Sequence, residues 1–143
     1  MAEVVAFHTC PVRVYYEDTD AGGIVYYANY LKFAERGRTE MLRDVGIGHR
    51  DIWHSCGVRF AVRNISADYI KPARLDDALI VHSKLLSIRG ASIATEQVVR
   101  RNNEDLVRLS VRLACIDYAG RPARLPRPVR SALEAYRHDV SRD

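Results

Sequence analysis

A short acidic stretch near the N-terminus carries the residue types best suited to chemistry. Glu17, Asp18 and Asp20 place carboxylates close together, and a pair of glycines follows at positions 22 and 23. Glycine permits backbone angles that other residues avoid, so a turn is expected there. A helical pattern then begins near Ala28. The first N–H groups of a helix are free and carry roughly half a positive charge. A carboxylate beside such donors can attack a carbonyl, or activate water to do so, while the donors stabilise the oxyanion.

Each of the three carboxylates also has a purely structural interpretation. Aspartate is common in turns and at helix starts, where its side chain accepts backbone hydrogen bonds. The adjacent glycine pair and helix start favour a chemical role for the stretch as a whole. Both interpretations remain open for any single residue at this point.

One long helix and several strands must position this stretch. Apolar and small residues recur three or four positions apart from Tyr30 to Val45, which predicts an amphipathic helix of four to five turns. Gly37 lies on its buried stripe at a cost of about 1 kcal/mol relative to Ala. We expect the helix to lie very close to a flat surface, such as a sheet, at that point.

Alternating apolar residues predict strands over residues 11–16, 58–70, 79–88, 91–101 and 106–118, with a bulge near Asn64. A proline-rich extended segment and a short helix over 131–138 follow. Meandering strands with one long helix predict an α+β fold in which an antiparallel sheet wraps around a central helix. Sheet edges need cover, so a homodimer or homotetramer is expected. Residues 1–143 form one predicted domain.

The composition narrows the class of protein. The chain has no apolar run of about 18 residues and no signal-peptide pattern, which favours a cytoplasmic protein without a membrane span. Three separated cysteines suggest reduced thiols, and five histidines lack metal-ligand spacing, so no metal is expected. The net charge of +4 comes mostly from arginine. Guanidinium groups suit phosphate, and without a nucleic-acid motif a nucleotide-tailed small molecule is the favoured partner over nucleic acid.

The chain resembles the hotdog-fold acyl-CoA thioesterases of the 4-hydroxybenzoyl-CoA thioesterase type, and among them the YbgC-like, Tol–Pal-associated thioesterases. The motifs that carry the resemblance are VRVYYEDTDAGGIV from Val12, ERGRTEMLR from Glu35, PARLDD from Pro72 and the Arg89-Gly90 pair. They span most of the chain in the expected order.

This resemblance implies roles for particular residues. The family's catalytic acid corresponds to Asp20, as nucleophile or general base, and the carbonyl-polarising backbone N–H falls on Tyr27. Many YbgC-like members have His at that position, so a side-chain role for His does not carry over. The resemblance also implies that Arg89 meets the phosphates of CoA, often across a subunit boundary, with Arg124 and Arg127 near the nucleotide. Plain surface charge is the alternative for these three arginines.

Three neighbours of this site have an open role. Tyr26 and Tyr30 either line an acyl pocket or pack against their surroundings. Glu35 matches a family glutamate, yet Arg36 and Arg38 are near enough in sequence to hold it in a structural ion pair.

The implied activity is hydrolysis of an acyl-CoA to an acid and CoA, with no cofactor because CoA is part of the substrate. The same fold could instead take its acyl group from an acyl carrier protein. A third alternative is a non-catalytic protein that binds acyl-CoA or envelope proteins. A dehydratase is a weaker option, because no histidine is positioned as its base. The acyl group itself is not predicted.

Overall fold

One antiparallel sheet forms the body of the protein. The computed structural model describes residues 8–141, with side chains as far as Arg137. Within this part of the chain the strands lie in the order β1-β3-β4-β5-β2, so β1 and β2 are the edges. The predicted α+β architecture, with an antiparallel sheet and a long helix on one face, is confirmed. The elements are β1 (His8–Arg13), α1 (Asn29–Val45), α2 (His49–Cys56), β2 (Arg59–Tyr69), β3 (Ala78–Ile88), β4 (Ser92–Arg101), β5 (Glu104–Ile116) and α3 (Arg127–Ser141).

Helix α1 lies against the sheet through small residues. It packs on β1, β3 and β4. A Cβ atom built on Gly37 would be only 2.6 Å from the Cγ1 atom of Val81 on β3, and 3.1 Å from the side chains of Ser83 and Gln97. The prediction that this glycine permits close approach to a sheet is therefore confirmed. The helix ends, as predicted, at Gly46, which takes a left-handed conformation with φ of 93°.

The core lies between α1 and alternate residues of the sheet. Strand β5 shows the pattern most clearly, because its odd-numbered residues from 107 to 115 are all buried. Strand β2 pairs with β5 and carries the predicted bulge, a register shift between Val62 and Asn64. The largest fully buried apolar side chains are Phe33, Met41, Leu42, Leu79, Ile93, Leu106, Leu109 and Leu133.

The ends of several elements differ from the predictions. Strand β1 ends at Arg13 rather than at residue 16, and Tyr16–Asp18 form a 3-10 turn because the Asp18 carboxylate accepts the N–H of Tyr15. Helix α2 was not predicted. It fits between Gly48 and Gly57, which places glycines at both of its ends.

The C-terminal region also differs. The predicted helix over 131–138 and the extended segment before it were wrong in extent, because α3 begins at Arg127. Pro128 therefore lies in its first turn, where a missing N–H costs no intrahelical hydrogen bond.

Candidate active site

Asp18 has a structural role at the start of α1. Its carboxylate is 6% exposed and accepts the N–H of Tyr15 at 2.8 Å and the side-chain amide of Asn29 at 3.0 Å. Its carbonyl oxygen accepts the N–H of Tyr26 at 2.9 Å. These bonds tie the acidic turn to the first residue of the helix. The structural interpretation therefore holds for this carboxylate.

Asp20 lies in a tight turn two residues further on. Its N–H donates to the carbonyl of Ile24 at 2.9 Å, and one carboxylate oxygen accepts the N–H of Gly22 at 2.8 Å. The other carboxylate oxygen accepts no hydrogen bond from residues 8–137, and the residue is exposed. Gly23 allows the turn because its φ is +80°. Asp20 thus has a carboxylate oxygen that remains available to a ligand.

One residue separates Asp18 from Asp20, and the turn that follows leads to the start of α1. Thr19 between them is extended, with φ of −101° and ψ of 156°, and forms a bridge with Val25. Because Asp18 accepts the N–H of Tyr26 and the side-chain amide of Asn29, the Asp20 turn is joined within a few residues to the start of α1.

Tyr27 supplies a free backbone N–H just before α1. Within the described residues this N–H has no hydrogen-bond acceptor, whereas its carbonyl accepts the hydroxyl of Tyr69 at 3.3 Å. The Tyr27 ring is exposed and meets the ring of Tyr69 edge-on at 6.2 Å. The structure therefore leaves the amide unbonded close to the helix start, which is a suitable arrangement for an oxyanion donor.

The two other tyrosines of this region differ. Tyr26 is exposed, and the neighbouring hydroxyl of Tyr27 raises the pKa of its phenol. Tyr30 is buried, its hydroxyl accepts the N–H of Ala73 at 2.9 Å, and burial raises its pKa. Tyr30 is therefore a packing residue that holds the segment before β3 against α1.

The three candidate nucleotide-binding arginines form one exposed cluster, called here the basic cluster: Arg89, Arg124 and Arg127. Arg89 lies in the turn between β3 and β4. The N–H of Leu125 donates to the carbonyl of Gly90 at 2.9 Å, which brings the segment before α3 to this turn. None of the three guanidinium groups forms an ion pair with a described carboxylate.

In a single chain the basic cluster lies far from Asp20. The N–H of Leu75 donates to the carbonyl of Gly23 and Ile24 bridges Arg74, so the Asp20 turn adjoins the start of β3. The basic cluster adjoins the other end of that strand. Ten residue steps of about 3.3 Å separate the two ends, a span of about 33 Å. The structure thus does not bring the two groups of candidate residues together within one protomer.

A cavity of about 340 Å³ opens on the β2 side of α1. Its residues were not predicted as a site, and Arg38 was considered only as an ion partner of Glu35. Glu35 in fact forms no salt bridge with any described residue. In the sequence, this cavity could have been recognised from Arg38, a charged residue on the buried stripe of α1. The cavity is lined by Glu35, Arg38, Thr39, Leu42, His49, Phe60, Val62 and Leu113.

Neither a metal-ion site nor a membrane-spanning helix is found among the residues that the structure describes. Residues 8–137 contain no group of three or more His, Cys, Asp or Glu side chains arranged to hold a metal ion. No helix between residues 8 and 141 is long and apolar enough to cross a membrane.

Comparison with known proteins identifies the family. The family model described as "Thioesterase-like superfamily" matches residues 14–133. The chain belongs to the thioesterase-like superfamily. This thioesterase-like protein is 42% identical over 123 residues to "Acyl-CoA thioesterase YbgC" of Haemophilus influenzae, covering 85% of this chain and 90% of the relative. It is 43% identical over 121 residues to "Acyl-CoA thioester hydrolase YbgC" of Escherichia coli O157:H7, covering 83% of this chain and 90% of the relative.

A solved structure supports the same assignment of fold. The structure named "Probable Thioesterase from Bartonella henselae" superimposes on this thioesterase-like protein with a TM-score of 0.82 at 37% identity. The match covers 85% of this chain and all of the other. The predicted resemblance to hotdog-fold thioesterases is therefore confirmed.

Proposed function

We propose that the protein is an acyl-CoA thioesterase in which Asp20 is the catalytic carboxylate. The observation that supports this most directly is the Asp20 turn. It presents an exposed carboxylate with one unbonded oxygen and no cationic partner among residues 8–137, in the turn that leads to the helix start. The two YbgC relatives, named as acyl-CoA thioester hydrolases, support the reaction class.

The backbone N–H of Tyr27 polarises the thioester carbonyl in this proposal. One well-placed donor of this kind is worth about 10²–10³ in rate. Asp20 either attacks the carbonyl carbon, forming a mixed anhydride that water then hydrolyses, or removes a proton from the attacking water. On both routes the C–S bond breaks, CoA leaves as its thiol, and one water molecule is consumed.

The donor of the acyl group is bound, in this proposal, by the basic cluster of a second copy. Edge strand β2 has one unpaired side, and two such edges can pair antiparallel about a two-fold axis. That pairing brings opposite ends of the two sheets together. It therefore overcomes the separation of about 33 Å between Asp20 and the basic cluster in a single chain, and two equivalent sites result.

Replacing Asp20 with Asn tests the catalytic assignment. D20N keeps an oxygen that accepts the N–H of Gly22, so the fold should be unchanged. We expect hydrolysis of short, long and aromatic acyl-CoAs to fall at least 10²-fold. E17Q, which removes an exposed neighbouring carboxylate, is the matched control and should stay near wild type. Near wild-type hydrolysis by D20N of every accepted thioester would disprove the assignment.

Mixing two inactive variants tests the composite site. One variant is D20N, and the other replaces Arg89, Arg124 and Arg127 with Gln. After the subunits are exchanged, half of the dimers are mixed and each holds one intact site, so about a quarter of wild-type activity should return at low substrate concentration. If subunit exchange is demonstrated and no activity returns, the two groups do not meet across a dimer.

An acyl carrier protein could replace CoA in the same geometry. Its acidic surface would contact the exposed basic cluster. Hydrolysis of one acyl group presented on CoA and on the carrier protein, at equal concentrations, distinguishes the two donors.

A further inference from the structure

The cavity beside α1 lies on the same side of that helix as Tyr27. Strand β2 runs antiparallel to α1, so Tyr69 at its end contacts Tyr27 while Phe60 near its start lines the cavity. Glu35, Arg38 and Leu42 are spaced three and four residues apart and form one stripe of the helix. A ligand that extends from the helix start along β2 therefore reaches this cavity.

Arg38 has unused hydrogen-bonding capacity in the cavity. It is 5% exposed, and its guanidinium donates one hydrogen bond, to the side-chain oxygen of Gln97 at 3.1 Å. A guanidinium has five N–H donors. Within residues 8–137 no carboxylate lies at ion-pair distance from Arg38. Burial of an unpaired charge is costly, so this group is suited to an anion that arrives with the ligand.

The position of Arg38 is fixed by a neutral network. The side-chain nitrogen of Gln97 donates to the carbonyl of Ala34 and to the hydroxyl of Ser83, both at 2.8 Å. These two bonds use both amide hydrogens, so the amide oxygen must face Arg38. Gln97 is fully buried. The network therefore holds the guanidinium in place without neutralising it.

Glu35 favours the charged form of Arg38, but no titratable group of the cavity forms an ion pair with it. Burial lowers the pKa of Arg38, and the nearby Glu35 opposes this shift. An arginine nevertheless stays protonated in proteins. Burial also lowers the pKa of His49, with Glu35 opposing, which favours the neutral form of its imidazole. Glu35 itself is exposed, and solvent screens its charge.

We propose, on the basis of the thioesterase function above, that this cavity receives the far end of the acyl group and that Arg38 selects acyl groups ending in a carboxylate. Eleven residues separate Tyr27 from Arg38, about 16 Å along the helix at 1.5 Å per residue. A helical side chain leans toward the N-terminus, which shortens the gap to roughly 10 Å. A chain of about eight carbons spans that distance.

Length-matched substrates test the selection. Wild-type protein is assayed with suberyl-CoA against octanoyl-CoA, and with succinyl-CoA against butyryl-CoA. One charge-assisted pair should raise kcat/KM for suberyl-CoA about 10- to 100-fold over octanoyl-CoA. The four-carbon pair should show no such preference, because its carboxylate cannot reach Arg38. A preference for octanoyl-CoA, or an equal preference at both lengths, would overturn the proposal.

Substitution of Arg38 gives a second test. R38M should lower the ratio of kcat/KM for suberyl-CoA to kcat/KM for octanoyl-CoA by the same factor. R38K should retain part of the preference. R36M, which alters an exposed arginine of the same helix, is the matched control and should keep it. If R38M lowers kcat/KM equally for both substrates, and R38K is no better, Arg38 has a purely structural role.

Binding separates this inference from the proposed function. Calorimetric titration of D20N with suberyl-CoA and octanoyl-CoA needs no turnover. If wild type hydrolyses neither substrate but D20N binds suberyl-CoA more tightly, and R38M removes the difference, the carboxylate site stands and the thioesterase proposal fails. If the protein hydrolyses both substrates, and their affinities and hydrolysis rates are the same, only the carboxylate site is refuted.

Discussion

The tight approach of α1 to the sheet predicts that Gly37→Ala destabilises the protein. In an ordinary helix this change is favourable, because alanine is the better helix former by up to about 1 kcal/mol. Here the added methyl carbon would lie 2.6 Å from Val81 Cγ1, well inside ordinary contact distance. Valine is stiff about χ1, so it cannot rotate away without moving β3 or α1.

The size of the effect follows from the cost of overpacking and the gain in helix propensity. Overpacking of a close-packed core costs about 1–3 kcal/mol. A contact of 2.6 Å puts the cost in the upper part of that range, about 2–3 kcal/mol, so subtracting the helix-propensity gain of about 1 kcal/mol leaves a net loss of about 1–2 kcal/mol. For a chain of this length such a loss lowers Tm by roughly 2–8 °C.

Thermal and urea unfolding at a fixed protein concentration measure this loss. Gly90→Ala is the matched control, because a Cβ there meets nothing within 4 Å, and it should change stability by less than about 0.5 kcal/mol. Val81→Ala makes room for the new methyl group, so the double variant should be more stable than the sum of the single effects by at least about 0.5 kcal/mol. If Gly37→Ala is as stable as wild type, the argument from close approach is wrong.

Two further substitutions test other contacts of the fold. Tyr30→Phe removes the one acceptor that the described residues offer to the buried N–H of Ala73 and should cost about 1–3 kcal/mol in urea unfolding, whereas an unchanged midpoint would show that this N–H finds another partner. For Asp77, burial raises the pKa, but the N–H of Arg74 and the guanidinium of Arg101 outweigh it and hold the pKa below its ordinary value. Its stabilisation is therefore present above about pH 4 and is lost as the pH falls below that. The stability deficit of Asp77→Asn should shrink in acid, and a deficit that is constant with pH would contradict this assignment.

The features predicted best from the sequence have strong local causes. Gly37 on an apolar helical stripe predicted close packing, and the phase change near Asn64 predicted the bulge in β2. Both were confirmed because the period of apolar residues depends directly on which face is buried. The long helix was located for the same reason, and Gly46 marked its end.

Other features depend on contacts that a linear pattern does not contain. The sequence could not separate the structural Asp18 from the exposed Asp20, since the difference lies in a hydrogen bond to Asn29. Helix α2 is too short to show a clear period. The buried position of Arg38 over a cavity depends on how far α1 stands from β2, which is a property of the packed sheet.

The bulge in β2 changes the parity of that strand. Before it, even-numbered residues such as Phe60 face the helix side, and after it odd-numbered residues such as Ile65 and Tyr69 do so, opposite Cys115, Val111 and Val107 of β5. Deleting the single extra residue, Arg63, would keep the composition of the strand almost intact. It would also keep the pairs in register, because Asn64 already lies opposite Arg112 and Tyr69 opposite Val107. The extra residue therefore bends the strand locally while Tyr69 stays on the helix side, in contact with Tyr27.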